Sequence, residues 1–254
     1  MRKIFGIYIC IIVLSLSIKA NAESISKQYN YEAYWGGFKV GALRLTDTET
    51  DNSYNIIASI NSKGIAKIVS NYSSINIASG AKSADKYHPK LYNCKWWRKK
   101  EAQDIQLGFS AKGDIATQSL IPPERVGKRP DVAEKNKKNV VDPVTAAFVS
   151  RETIRQEIKK NPNSTATFAI PTYDGKRRFD VMCTIKGYKN IDIGGKMQNL
   201  LHITMRRNPI GGFREKDLVE MRDENIDFYL NADFIPVWGS AKAQMGSATI
   251  KLIE

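Results

Sequence analysis

The sequence is poor in the residues that most catalytic and metal sites use. Histidine occurs twice in 254 residues, as His88 and His202. His88 stands before Pro89 in a turn signal and His202 stands in an alternating run. Neither has a second ligand at His-x-His or His-Glu-x-x-His spacing. Cysteine occurs three times, at positions 10, 94 and 183, with no Cys-x-x-Cys pair. No Gly-x-Ser-x-Gly elbow is present. These absences leave no catalytic, metal or cofactor motif. A hydrolase or cell-wall enzyme would need distant residues to meet in the fold.

Acidic residues are also in deficit, 26 against 39 Lys and Arg, a net charge of +13. Long apolar runs are missing except at the start. There Met1-Arg2-Lys3 precedes the apolar stretch Ile4 to Ile18, and "KANAE" follows. A charged head, a run of about 15 apolar residues and a small-x-small site read as a signal peptide cut between Ala22 and Glu23. The run is shorter than the roughly 20 residues of a membrane span, the alternative reading. Cys10 lacks the small-residue setting of a lipidation site. The expected product is one periplasmic domain over residues 23–254, and membrane contact, if any, is peripheral.

Export changes the partners to expect. Cytosolic nucleotides are mostly excluded as ligands, and the cations form no nucleic-acid recognition motif. A positive field outside the inner membrane attracts lipid headgroups, lipopolysaccharide or cell-wall carboxylates. Evenly spread solubilising lysine is the plainer alternative. An oxidising compartment permits a disulfide between Cys94 and Cys183. Such a bridge closes a loop of about 90 residues, worth up to roughly 4–5 kcal/mol. The alternative is two buried free thiols.

What the chain does have is period-two alternation. Tyr54, Ile56, Ala58 and Ile60 share one face, as do Ile105, Leu107 and Phe109, and Phe179, Val181 and Cys183. Such runs recur between Gly, Asn and Asp turn signals, which predicts a mainly antiparallel β-protein of a dozen or more strands. A sheet of that size must curl, close or split. One segment differs. Residues 142–160 read as a helix, with Asp142 as N-cap and Pro143 in the first turn. Val144, Ala147, Phe148, Ile154 and Ile158 form its apolar stripe. The preceding basic stretch, 119–141, holds three prolines and little periodicity, and reads as a long surface loop or lid.

Three further groups stand out. In "YWGGFKVG", Gly36-Gly37 fits a two-residue hairpin, and the change of inward face near Gly41 suggests a bulge. No helix start or Lys-Ser/Thr follows, so a phosphate cradle is excluded. Trp35 then reads as a wall of the fold or its cavity. In "YDGKRRFDV", Asp174-Gly175 is a hairpin pair followed by Lys176, Arg177 and Arg178. These cations either bind an anion or pair with nearby acids. In "KWWRKK", Trp96 and Trp97 point to opposite faces: either one turns to the core and the other stands outward among cations, or two sheets each take one Trp into a packed layer.

Taken in order, "YEAYWGGFKVGAL", "DPVTAAF" and "YDGKRRFDV" resemble the exported proteobacterial proteins catalogued as domain of unknown function 3108. The matching positions are Trp35, Gly36, Gly37, Gly41, Asp142, Pro143, Asp174, Gly175, Arg177 and Arg178. The resemblance implies a periplasmic antiparallel sheet curled into an open barrel or spiral around one main helix. It implies no established reaction and no cofactor. The resulting expectation is a non-catalytic cell-envelope protein that supports envelope integrity. It would bind a lipid or extended peptide in the concavity of its sheet. The alternative is a structural module that docks an envelope complex.

Overall fold

Alternation becomes strand almost everywhere it occurs. The computed structural model describes residues 24–69, 71–84, 86–221, 225–242 and 246–253. The expected cleavage point at Ala22 and Glu23 lies outside them. The elements, in order, are β1 (Ile25–Trp35), β2 (Phe38–Glu49), β3 (Ser53–Ser62), α1 (Gly64–Val69), β4 (Tyr72–Ser83), β5 (Lys86–Arg98), β6 (Glu101–Phe109) and β7 (Ile115–Ile121). The stretch expected as a loop over 119–141 begins inside β7 and holds a 3-10 helix at Glu134–Lys137; after it come α2 (Pro143–Lys160), β8 (Thr167–Tyr173), β9 (Arg178–Asp192), β10 (Met197–Gly211), α3 (Glu215–Met221), β11 (Ile226–Leu230), β12 (Pro236–Lys242) and β13 (Ser247–Ile253).

All thirteen strands lie in one antiparallel sheet, ordered β7-β6-β5-β4-β3-β2-β1-β13-β12-β11-β10-β9-β8. Consecutive strands pair throughout except β7 and β8, which form the two edges, and β1 pairs β13, so the sheet grows outward from a seam between its first and last strands. It curls without closing into a continuous ladder. Its two edges approach each other through side chains and a short strap. Gln118 on β7 donates to the Gly175 carbonyl at 3.0 Å, and the Tyr173 hydroxyl donates to Gln118 at 2.8 Å. Val141 forms a parallel bridge with Thr172, while the Val140 amide bonds the Gly113 carbonyl of the β6–β7 turn. The 119–141 stretch is therefore pinned. Val132 and Val140 are buried, and Arg129 donates to the Gly212 carbonyl.

α2 runs through the concavity, with the start and first turn its residues predict. The Asp142 Oδ1 accepts the Val144 and Thr145 amides, both at 2.9 Å, and Oδ2 accepts the Thr145 hydroxyl at 2.6 Å. Two of the orphan first-turn donors are thus satisfied. Asn161 ends the helix in extended backbone. Phe148 enters a core cluster with Tyr54, Ile56, Tyr87 and Tyr92. Ile154 and Ile158 enter a second with Cys183, Ile185, Leu201 and Ile203.

The proposed disulfide is corrected here. Cys94 and Cys183 are free thiols. Cys94 packs with the first cluster from β5 and Cys183 belongs to the second on β9. The physical reason is packing into separate clusters, each thiol among apolar neighbours. Burial pushes the Cys183 thiol up to about 12.

The bulge falls where the change of inward face near Gly41 suggests. Ala33 pairs Gly41, but Tyr34 pairs Lys39, which leaves Val40 as the extra residue. Gly36 and Gly37 have φ of +54° and +84°, the positive values a two-residue hairpin requires.

Candidate functional site

A single helix cannot fill the concavity of so wide a sheet. α2 packs against β3, β4, β5, β8 and β9. On its other side, facing β1, β2 and β10 to β13, an apolar cavity of about 450 Å³ remains open. This lies within the ~300–1,000 Å³ usual for ligand sites. Tyr31, Leu43, Ile60, Met205, Phe228 and Ile250 line it from the strands. Val144, Ala147, Phe148 and Ile154 line it from α2. Ala147, read from its spacing as a core-stripe residue, faces this space and is exposed to it.

At one end the cavity gives onto a polar mouth, and Arg151 and Tyr29 border both. Arg151 lies 3.6 Å from an Asp47 oxygen and 3.5 Å from a Glu49 oxygen. Its guanidinium stacks over the Phe148 ring at 4.4 Å. Glu49 also accepts from Lys82 and from the Tyr87 hydroxyl. Burial, reinforced by the Glu49 charge, raises the Asp47 carboxyl to about 6 despite Arg151. At Glu49 burial pulls upward too, but the Lys82 and Tyr87 hydrogen bonds outweigh it and hold the group below its ordinary value. Around this neck stand Lys27, Arg155, Asp51 and Asp233. Among the described residues, cations and carboxylates are balanced there, four of each.

The sequence-derived candidates are distributed, not gathered. Trp35 stands at the rim of the sheet, 46% exposed, beside the hairpin glycines. Trp96 lies inward beneath Lys176, whose ammonium is 5.4 Å from its ring, and Trp97 faces out. Lys176 also donates to Gln103 at 2.7 Å, and burial holds its ammonium below the usual range. Arg177 pairs with Asp174 and Arg178 with Asp180, each at 2.7 Å. The three cations after Asp174-Gly175 are thus each engaged inside the fold. Asp174 caps its own hairpin by accepting the Lys176 and Arg177 amides.

Sequence reasoning missed the neck. Its signal was present but ambiguous. Asp47 and Glu49 continue the inward parity of Leu43 and Leu45 on β2, and Arg151 interrupts the apolar face of α2. Inward charge on both elements pointed to a buried ion-pair network. Only the tertiary fold joins its two halves.

A thirteen-stranded antiparallel sheet wound around one helix, with an apolar cavity between them, defines a β-barrel-like protein. The chain belongs to the family described as protein of unknown function (DUF3108), whose model matches residues 30–253. Among solved structures it is similar to a β-barrel-like protein of domain of unknown function DUF1849 from Brucella abortus. That likeness has a TM-score of 0.51 and 12% identity, over 92% of this chain and 96% of the other. It bears on the fold alone. No curated protein matches the chain.

Proposed function

We propose that the chain is a non-catalytic periplasmic protein that holds the hydrocarbon part of an envelope lipid, or an apolar extended peptide, in the cavity beside α2. The carrying observation is the cavity itself, about 450 Å³ walled by aliphatic and aromatic side chains and joined to a charged mouth. Apolar walls favour a hydrocarbon chain, because each buried methylene contributes about 0.8 kcal/mol. The mouth supplies a place for a polar head to stay in water. A purely structural docking module would have no use for such a space. At the neck Arg151, Lys82 and Tyr87 engage Glu49, while Asp47 faces Arg151 with its other oxygen buried and without a hydrogen-bond partner.

The test is native mass spectrometry of protein purified from the periplasm, followed by lipid extraction. The expected result is an adduct whose mass matches an extractable lipid. Ala147→Trp, which places an indole in the cavity, is expected to abolish the adduct while the fold persists by circular dichroism. Wild-type protein without an adduct, and unable to take up a fluorescent fatty acid, overturns the reading.

A further inference from the structure

The two ends of the cavity differ in kind. The end near the neck is charged and balanced. The opposite end is an apolar lip. Trp35 pairs with Phe38 across the first hairpin and with Ala248 on β13. Side chains alternate along a strand, so Trp35 shares its face with Tyr31, and Ala248 shares its face with Ile250. Tyr31 and Ile250 both line the cavity. Trp35 and Phe38 therefore extend the cavity wall outward to the rim, where they are 46% and 67% exposed. Ile60, itself a lining residue, is 37% exposed. α1 follows β3 at this same end, held by the Lys63 amide on the Val40 carbonyl at 2.8 Å, and its Ile68 is 85% exposed.

The lip carries a surplus of cations. Lys39, Lys63, Lys67 and Lys242 stand on it, and Asp227, across from Ser240 on β12, is held by His202. Glu32 is engaged by Lys39 and Tyr34. Lys63, Lys67 and Lys242 are exposed. An indole, a phenyl ring and an aliphatic tip set among lysines is the composition of a surface that enters a headgroup layer. The rings reach the acyl boundary while the ammonium groups meet phosphates.

We propose that this lip docks on the surface of an anionic lipid bilayer. An acidic protein would match the lysines but would not call for three exposed apolar tips beside them. Docking requires only the lip. Passage of a hydrocarbon chain from the bilayer into the cavity rests in addition on the reading of the cavity given above.

The test is flotation of the purified mature chain with two kinds of vesicle, phosphatidylcholine alone and equal parts phosphatidylcholine and phosphatidylglycerol. Binding is expected to the mixed vesicles and to weaken with salt. The double variants Trp35→Ala/Phe38→Ala and Lys63→Glu/Lys67→Glu are each expected to lower the partition coefficient about tenfold or more. Lys135→Glu/Lys138→Glu makes the same change of net charge on the strap and is expected to leave binding intact. Equal binding to both vesicle types, no binding to either, or equal losses from the strap and lip variants overturns the proposal. The outcome is separable from that of the cavity. Ala147→Trp keeps vesicle binding if docking is right, whether or not any lipid is carried.

Discussion

Asp142 is fully buried and accepts three hydrogen bonds at the head of α2. Burial nevertheless raises its carboxyl to about 6, above the roughly 3.9 of a free aspartate. A group whose folded pKa is raised stabilises the fold fully below its unfolded value, and that contribution is lost as pH rises through the folded one. Asp142→Asn keeps an N-cap acceptor but cannot titrate. Wild type is therefore expected to gain stability relative to Asp142→Asn as pH falls from 7 to 4.5, measured by urea unfolding at both values. Asp142→Ala removes the cap and leaves Thr145 without its acceptor, an expected loss of about 1–2 kcal/mol. Arg151 is the second decisive residue. Removing one partner of a buried ion pair costs about 3–5 kcal/mol. Arg151→Met is expected to lose that much in urea, and less when Asp47→Asn and Glu49→Gln are also present. Equal losses in both backgrounds would mean that packing on Phe148, not charge, carries the effect.

At the scale of elements, helix α2 and the hairpins were legible in sequence because their signals are local. Asp142 and Pro143 mark a helix start whatever surrounds them, and Gly36-Gly37 permits a turn that most residues resist. The strap was not legible as such. Residues 119–141 carry proline and charge like any loop, and their pinning depends on Val132, Val140 and Arg129 meeting Gly212 and the β6–β7 turn, far away in sequence. Two glycines separate local from tertiary constraint. Gly37 has φ +84° with open space around it, and Gly37→Ala is expected to cost about 1 kcal/mol through backbone strain alone. Gly175 has φ +90°, and a Cβ there would lie 2.4 Å from Ile105 Cγ2 where the edges of the sheet meet. Gly175→Ala is expected to add a further ~1–3 kcal/mol of overpacking. Thermal melts of the two variants test the difference.

For the whole molecule, the sheet curls around α2 and holds its two edges together without a covalent link. Cys94 and Cys183 lie in separate clusters, and burial raises both thiols above the ordinary range. Native protein made in an oxidising compartment is expected to carry Cys94 and Cys183 as free thiols that react with iodoacetamide only on unfolding. The half-buried Cys94 is expected to react first if the fold opens locally. A peptide map with the two cysteines linked would contradict this arrangement. The same curl leaves a cavity because one helix is narrower than the space enclosed, and it makes the cavity's ends unlike. One end takes the inward charges of β2 and α2, the other the aromatic tip of the first hairpin.

The sequence by itself determined the strands, the helix and its cap, the first corner and the excess of cations. Each follows from alternation, capping or turn chemistry within a few residues. Tertiary structure alone decided that the cysteines stay apart, that Lys176, Arg177 and Arg178 are engaged within the fold, and that Asp47, Glu49 and Arg151 meet at a neck. It also decided that a cavity remains at all. The reason is that curvature, edge closure and unfilled volume depend on how thirteen strands sum their twist around one helix, and no stretch of the chain encodes that sum locally.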